Sequence, residues 1–388
     1  MKKKLVSLVA AMLSVSLCLG ACAGDSDKKE NKPATNTNTE KDAVQSKLDV
    51  LKPSAYSSVD GLALEPGSYI SIIGRYSGDS YWKEVEEGAK KAVADLNTAL
   101  GYKGDDKIKL TYSAPEMRDD VNEQVNILDE ELARYPVAIG IAAIDTTACT
   151  IQFDLAAENG TPIITFDSGS DYQNVGSHIS TDNLAATKTA AAQLAYTMEE
   201  SGEVAVFVQD SISMTAKQRL QGFLDTVAAE FPNISVVSIY HMDELEAMRQ
   251  TIATEKNAAL AEGQQAILPE NITQEDVVKY ILEKHPNLKG IYATNLDTTQ
   301  LVANVLGQLE RTDLKFVGFD GGEEQMALLK KGVLDGLIVQ NPYAMGYATV
   351  VAATRVALGL GNESVVDSGY TWVTPDNMNK KEIKKMLY

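Results

Sequence analysis

Cysteine, histidine and tryptophan are scarce in this 388-residue chain: three, three and two copies respectively. His178, His241 and His285 are scattered, none at metal-ligand spacing, and His178 reads as structural. Cys149 lies in an apolar context beside Ala148 and Ile151, which suits a buried core thiol better than a nucleophile. The chain lacks a G-x-S-x-G elbow, an H-E-x-x-H pair and a P-loop, so the expectation is a non-enzyme without a cofactor or bound metal. Positive charge is in deficit as well. Lys and Arg total 35 against 54 Asp and Glu, a formal net charge of −19 with no basic stripe. That argues against nucleic acid as a partner, disfavours a phosphate-rich ligand, and fits an acidic surface serving solubility. Finally, the longest apolar run, Leu5–Leu17, is too short to span a bilayer comfortably.

That run belongs to a leader. Lys2, Lys3 and Lys4 form a positive n-region, Leu5–Leu17 an apolar h-region, and Leu19-Gly20-Ala21-Cys22 resembles a bacterial lipobox. On this reading residues 1–21 are a lipoprotein signal peptide and Cys22 carries the diacylglyceryl chains. The alternative is an ordinary secretory signal in which Cys22 is incidental. Removing the leader takes three lysines and brings the charge near −19 − 3 = −22. It also removes Cys18, so with Cys22 lipidated no intramolecular disulfide is possible. The stretch Asp25–Asp42 is polar and cannot bury a core, and residues 22–66 are expected to form the lipidated N-terminus and a flexible tether. Within it, Val44–Leu51 has some helical character before Pro53, Gly61 and Pro66 interrupt.

From Tyr69 onward strands and helices alternate regularly. YISIIG reads as a strand, and YWKEVEEGAKKAVADLN as an amphipathic helix with Trp82, Val85, Ala89, Val93 and Leu96 on one face. Strands IKLTYS, VAIGIAA and TPIITF follow with helices between them. A long Ala-rich helix then runs to Glu200, and strand EVAVFV opens a second series: helix 214–230, strand 234–241, helix 274–285, strand 289–294 and helix 297–309. This is a doubly wound α/β pattern run twice, and so many elements divide naturally into two Rossmann-like domains with a ligand between them. The first break falls near Ser180–Asp182. Residues 243–271 fit less simply: they predict an extra helix, Glu244–Ala261, and a loop with Pro269, either a surface elaboration or a lid bordering the cleft.

The richest stretch is KFVGFDGGEEQMALLKKGVLDGLIVQNPYAMG, residues 315–346. One β-run delivers Asp320 at its C-terminal end and a second delivers Gln340. Ligands of open parallel sheets bind outside the carboxyl ends of the strands, and a carboxylate with an amide there suits vicinal hydroxyls. The segment resembles the ribose-type periplasmic sugar-binding proteins, and the resemblance extends over most of the chain. Tyr81-Trp82 resemble the family's aromatic pair, with Trp82 also readable as plain core. Asp167, Asn295, Asp320 and Gln340 match its strand-end polar residues in order. Asp79 and Arg75 stand at its polar and occasionally basic positions. Asp145 is either a ligand contact or the cap of the following helix. Three positions depart: Ala142 replaces an Asn, Ser168 replaces an Arg after Asp167, and Lys217 aligns with a ligand-contacting Arg, Arg219 with a more structural one.

The resemblance implies an α/β fold of the type I periplasmic binding protein kind, two Rossmann-like doubly wound lobes joined by a three-strand hinge. The N-terminal lobe would take 67–180 plus 342–367 and the C-terminal lobe 181–341 plus 368–388, ending in a TWVTPDN strand and an Asn379–Tyr388 helix. It implies a monomeric solute-binding protein; with the lipobox the expectation is one lipid-anchored on the extracytoplasmic face of the membrane, and the lipidation in turn points to Gram-positive origin. Such a protein closes its lobes on a monosaccharide or polyol and hands it to an ABC permease. The open alternatives are a furanone-like autoinducer or other non-sugar ligand, and a sensory subunit feeding a receptor kinase. DNA-binding regulators that share the two-lobe body need an N-terminal helix-turn-helix, where this chain has its leader.

Overall fold

The computed structural model describes residues 37–388. The leader, Cys22 and the polar stretch up to residue 36 lie outside the described residues. Helix α1 (Thr37–Leu48) precedes a first series of elements: β1 (Tyr69–Ile73), α2 (Ser80–Leu100), β2 (Lys109–Ser113), α3 (Val121–Leu132), β3 (Ala138–Ile141), α4 (Thr150–Glu158), β4 (Ile163–Phe166) and β5 (His178–Ser180). The second series is α5 (Asn183–Thr197), β6 (Gly202–Val208), α6 (Met214–Glu230), β7 (Ile234–His241), α7 (Leu245–Ala258), α8 (Gln274–Lys284), β8 (Leu288–Ala293), α9 (Leu296–Gln308), β9 (Lys315–Phe319), α10 (Glu323–Lys330) and β10 (Gly336–Gln340). Four elements close the chain: α11 (Pro342–Ala357), β11 (Val365–Asp367), β12 (Tyr370–Val373) and α12 (Lys381–Lys384).

Among the described residues these strands form two six-stranded sheets. The first has the order β11-β5-β4-β3-β1-β2 and the second β12-β10-β9-β8-β6-β7. Every pairing is parallel except that of β12 with β10. Near-continuous apolar runs such as YISII and GLIVQ are what a sheet covered on both faces requires. One face of the first sheet carries α2 and α11, the other α3 and α4. In the second, α8 and α9 cover one face and α5 and α6 the other.

The chain passes between the sheets three times: between Ser180 and Asn183, between Gln340 and Pro342, and between Asp367 and Tyr370. The crossings lie side by side, with Thr181 Oγ1 donating to Gln340 Oε1 at 2.9 Å and Ser368 N donating to Ser180 O at 2.9 Å. After the second crossing α11 returns to pack on α2 at backbone contact. A Cβ on Gly88 would sit 2.0 Å from Tyr343 O, and one on Gly346 would sit 1.9 Å from Val85 O. Only glycine permits that approach.

Two expectations need correction, and an open alternative is resolved. Residues 48–64 are not a tether: Leu48, Leu51, Tyr56, Val59, Leu62 and Leu64 are buried in the core shared by α2 and α11. Lys52 also exchanges two backbone hydrogen bonds with Asp367, at 3.0 and 2.9 Å, and Asn341 Nδ2 donates to Lys47 O at 2.7 Å, so this segment is fastened to two of the three crossings. The expected 379–388 helix shrinks to Lys381–Lys384. Residues 243–271 form α7 between two short 3-10 turns, and Ile252 and Ala253 bury against the core of the second sheet. None of them lines the cleft described next, which matches surface elaboration and not a lid.

Candidate functional site

The carboxyl ends of both sheets face one cleft. From the first sheet, β1 leads to Arg75 and β4 to Asp167. From the second, β8 leads to Asn295, β9 to Asp320 and β10 to Gln340. Helix α2 adds its N-cap Asp79 and, in its first turn, Tyr81 and Trp82. These eight predicted residues all line one cavity of about 70 Å³. At roughly 10–15 Å³ per water that is room for about five to seven waters.

Asp167 and Asp320 form its polar floor, 8 % and 5 % exposed. Asp167 Oδ1 accepts from the Tyr81 hydroxyl at 2.6 Å, while no described protein donor reaches its Oδ2. Asp320 Oδ1 accepts from Gln340 Nε2 at 2.7 Å and the Tyr388 hydroxyl at 3.0 Å, and Oδ2 accepts from Leu296 N at 2.9 Å. Burial pushes both carboxyls above the usual range, partly offset for Asp167 by Arg219, Tyr81 and Arg75 and for Asp320 by Arg219, Gln340 and Tyr388. Burial and the neighbouring Asp167 carboxylate hold the Tyr81 phenol well above its ordinary value. Trp82 is both core and cavity wall, standing edge-on to Tyr81 and Phe166 at ring separations of 5.1 and 6.4 Å.

Asp145, Ser168 and Lys217 do not line the cavity. Asp145 caps its own turn, accepting from Thr147 N at 2.7 Å, Thr147 Oγ1 at 2.9 Å and Ala148 N at 2.8 Å. Burial there is outweighed by those bonds, which hold its carboxyl below the usual range. Ser168 is fully buried behind Asp167, its carbonyl bonded to Ala143 N at 3.0 Å. Lys217 Nζ reaches back to Ile212 O at 2.9 Å. The cation α6 turns to the cleft is Arg219. Two residues along a helix rotate a side chain by about 200°, so 217 and 219 cannot share a face, whereas Thr215 and Arg219, one turn apart, both line the cavity. Arg219 is buried, donates to Asn183 Oδ1 and Thr294 O at 2.8 Å each, and lies 3.9 Å from the Phe319 ring centroid.

At the cleft mouth the sequence pointed to Arg75 and Asp79 but not to their partners. Arg118, after β2, stacks 4.2 Å from the Tyr76 ring and binds Asp79 at 2.9 Å on its own lobe and Asp297 at 3.1 Å on the other. Arg75 binds Asp119 at 2.6 Å and reaches across to Asp210 at 3.1 Å. Burial, together with Asp79, Asp119 and Asp320, pushes the Asp297 carboxyl up to about 6 despite Arg118. Outside the cleft, burial lowers His178 to about 4 and pushes the Cys149 thiol up to about 12. Among the described residues no His, Cys, Asp or Glu group is arranged to hold a metal ion, and no helix is long and apolar enough to cross a membrane.

A family model described as a periplasmic binding protein domain matches residues 70–361. The chain belongs to that family. Among the periplasmic binding proteins it is similar to the ribose import binding protein of Escherichia coli, 23 % identical over 290 residues covering 75 % of this chain and 85 % of the relative. It is also similar to the D-apiose import binding protein of Paraburkholderia graminis, 25 % identical, with 64 % and 71 % covered. A carbohydrate transporter solute-binding protein from Agrobacterium radiobacter, solved with D-arabinose, superposes with a TM-score of 0.68 at 29 % identity, covering 83 % of this chain and 99 % of that one. The fold is the two-lobed type I architecture of these solute-binding proteins.

Proposed function

We propose that this periplasmic binding protein captures a small carbohydrate, a monosaccharide or polyol, between its closing lobes and delivers it to an ABC importer from a lipid anchor at Cys22 on the outer face of the cell membrane. The observation that carries the reading is the floor of the cleft: one buried strand-end carboxylate from each lobe, facing a cavity walled by Tyr81 and Trp82. Buried carboxylates are costly unless hydrogen-bonded. A polyol supplies several donors at once, and its apolar C–H faces suit aromatic walls. The names of the relatives, which include ribose and D-apiose import binding proteins, point the same way.

In this reading Asp167 Oδ2, Asn295, Gln340 and the guanidinium of Arg219 contact the ligand's hydroxyls, while Arg75 and Asp79 hold the rim. The test is thermal unfolding of the purified protein against D-ribose, D-arabinose, D-apiose, D-tagatose, D-fucose, xylitol and a furanone. A sugar at a hundred times its dissociation constant adds about 2.7 kcal/mol of stability and a clear rise in melting temperature. A shift with the furanone alone would overturn the carbohydrate assignment and leave the fold intact.

A further inference from the structure

Tyr388 lies outside the residues matched by the family model and lines no part of the cavity, yet it touches the floor from behind. Its hydroxyl donates to Asp320 Oδ1 at 3.0 Å and accepts from Gly321 N at 3.2 Å. Its ring stands edge-on to that of Tyr81, centroids 5.6 Å apart and planes at 75°. Tyr81 in turn donates to Asp167 Oδ1 at 2.6 Å.

The two contacts are counterparts. Asp167 follows β4 and Asp320 follows β9, the strands that hold the same place in the two sheet orders. Both aspartates have left-handed backbones, with φ of 54° and 73°. Each carboxylate therefore accepts one tyrosine hydroxyl, and the two tyrosine rings meet between the lobes. Tyr81 belongs to α2 of the first lobe. Tyr388 follows α12, whose Ile383 is buried in the core of the second sheet, and Leu387 packs there too. The ring contact is thus a contact between lobes, while the hydroxyl contacts stay within each lobe. Asp320 also faces Arg219 of α6 and, across the cleft, Asp167.

We propose that Tyr388 is a positioning residue of the cleft: its hydroxyl orients the Asp320 carboxylate in the cleft floor, and its ring packs on Tyr81 as the lobes come together, so that the setting of the floor is coupled to closure. This rests on the carbohydrate reading only for the choice of probe. With Asp320 Oδ1 taken by Gln340 and Tyr388, and Oδ2 by Leu296 N, few acceptor directions remain on it, whereas Asp167 Oδ2 stays open. The pair of carboxylates is therefore unequal, and Tyr388 contributes to that inequality.

The test uses Tyr388→Phe, which keeps the ring and removes the hydroxyl, and Tyr388→Leu, which removes both. Carbon-13 NMR of the Asp carboxyls, without sugar, reads the titration of Asp320 directly. Losing a donor to the carboxylate moves its midpoint to higher pH in Tyr388→Phe. Calorimetry with D-ribose, D-arabinose and D-apiose reads affinity. Whichever the wild type binds is weakened about fivefold in Tyr388→Phe, the worth of one hydrogen bond, and further in Tyr388→Leu. An unchanged Asp320 midpoint, or unchanged affinity for a sugar the wild type binds, would overturn the proposal. If the wild type binds none of the three sugars, the carbohydrate reading is in question while the carboxyl titration still decides the role of Tyr388. A variant that only misfolded would lose its NMR dispersion and melting transition as well; Tyr388→Phe is expected to keep both.

Discussion

Asp297 shows how a single carboxyl can make the cleft sensitive to pH. It sits on α9 opposite Arg118, in a neighbourhood crowded by Asp79, Asp119 and Asp320, and burial with those charges pushes it up to about 6. A carboxyl raised on folding stabilises the protein when protonated. Its contribution is fully present below the ordinary carboxylate value near 3.8 and is lost as pH rises through about 6. Asp297→Asn is therefore expected to flatten the stability profile between pH 4 and pH 7. Urea midpoints of the two proteins at pH 4.5 and 7.5 check this: a profile as steep in the variant as in the wild type would place the titration elsewhere. Asp167 and Asp320 were readable from sequence because a carboxylate closing a β-run is a local pattern. Asp297 and Arg118 were not, since their meeting is made by two lobes whose contact no local pattern encodes.

The contact between α2 and α11 is the clearest case of an element whose place depends on two residues. Gly88 and Gly346 let the helices meet backbone to backbone, and a methyl group at either would lie about 2 Å from a carbonyl oxygen. Gly346→Ala, though favoured by helix propensity, is expected to lower stability by about 1–3 kcal/mol or more, because α11 must move away from α2 and the residues between them lose packing. A fall in the urea midpoint at constant slope is the expected reading, and an unchanged midpoint would mean the helices separate freely. Element by element, the alternation of strand and helix was legible: β7 and α6 fall at the expected residues, 234–241 and 214–230. Residues 48–64 were not, because their apolar side chains follow neither a helical nor a strand period and are broken by Pro53 and Gly61, so only tertiary burial reveals them. The face of α6 could have been read from Thr215, Arg219 and Phe223 at four-residue spacing. Matching Lys217 to a family position overrode that spacing and pointed to a cation that does not line the cavity.

At the scale of the whole molecule, the two lobes, their three crossings and the fastened 48–64 segment form one body whose ligand face opens between them. An acidic body of formal charge −19 gains no attraction from an anionic membrane surface. On the proposed lipid-anchor reading, retention at that surface would rest on Cys22, and Cys22→Ser is expected to release the protein from the membrane fraction, with loss of palmitate labelling. Continued membrane retention of the variant would rule out the lipid anchor. The crossings carry a further consequence, for the order of events during synthesis. The first sheet waits for β11 at 365–367 and its core waits for α11, while the second waits for β12 at 370–373. Neither lobe can finish its sheet as the ribosome passes the middle of the gene: β11 must pair back to β5, Val365 with His178, a long-range contact of the kind that slows folding, while β12 pairs with the nearby β10. Both sheets therefore stay incomplete until residues 365–373 have been made.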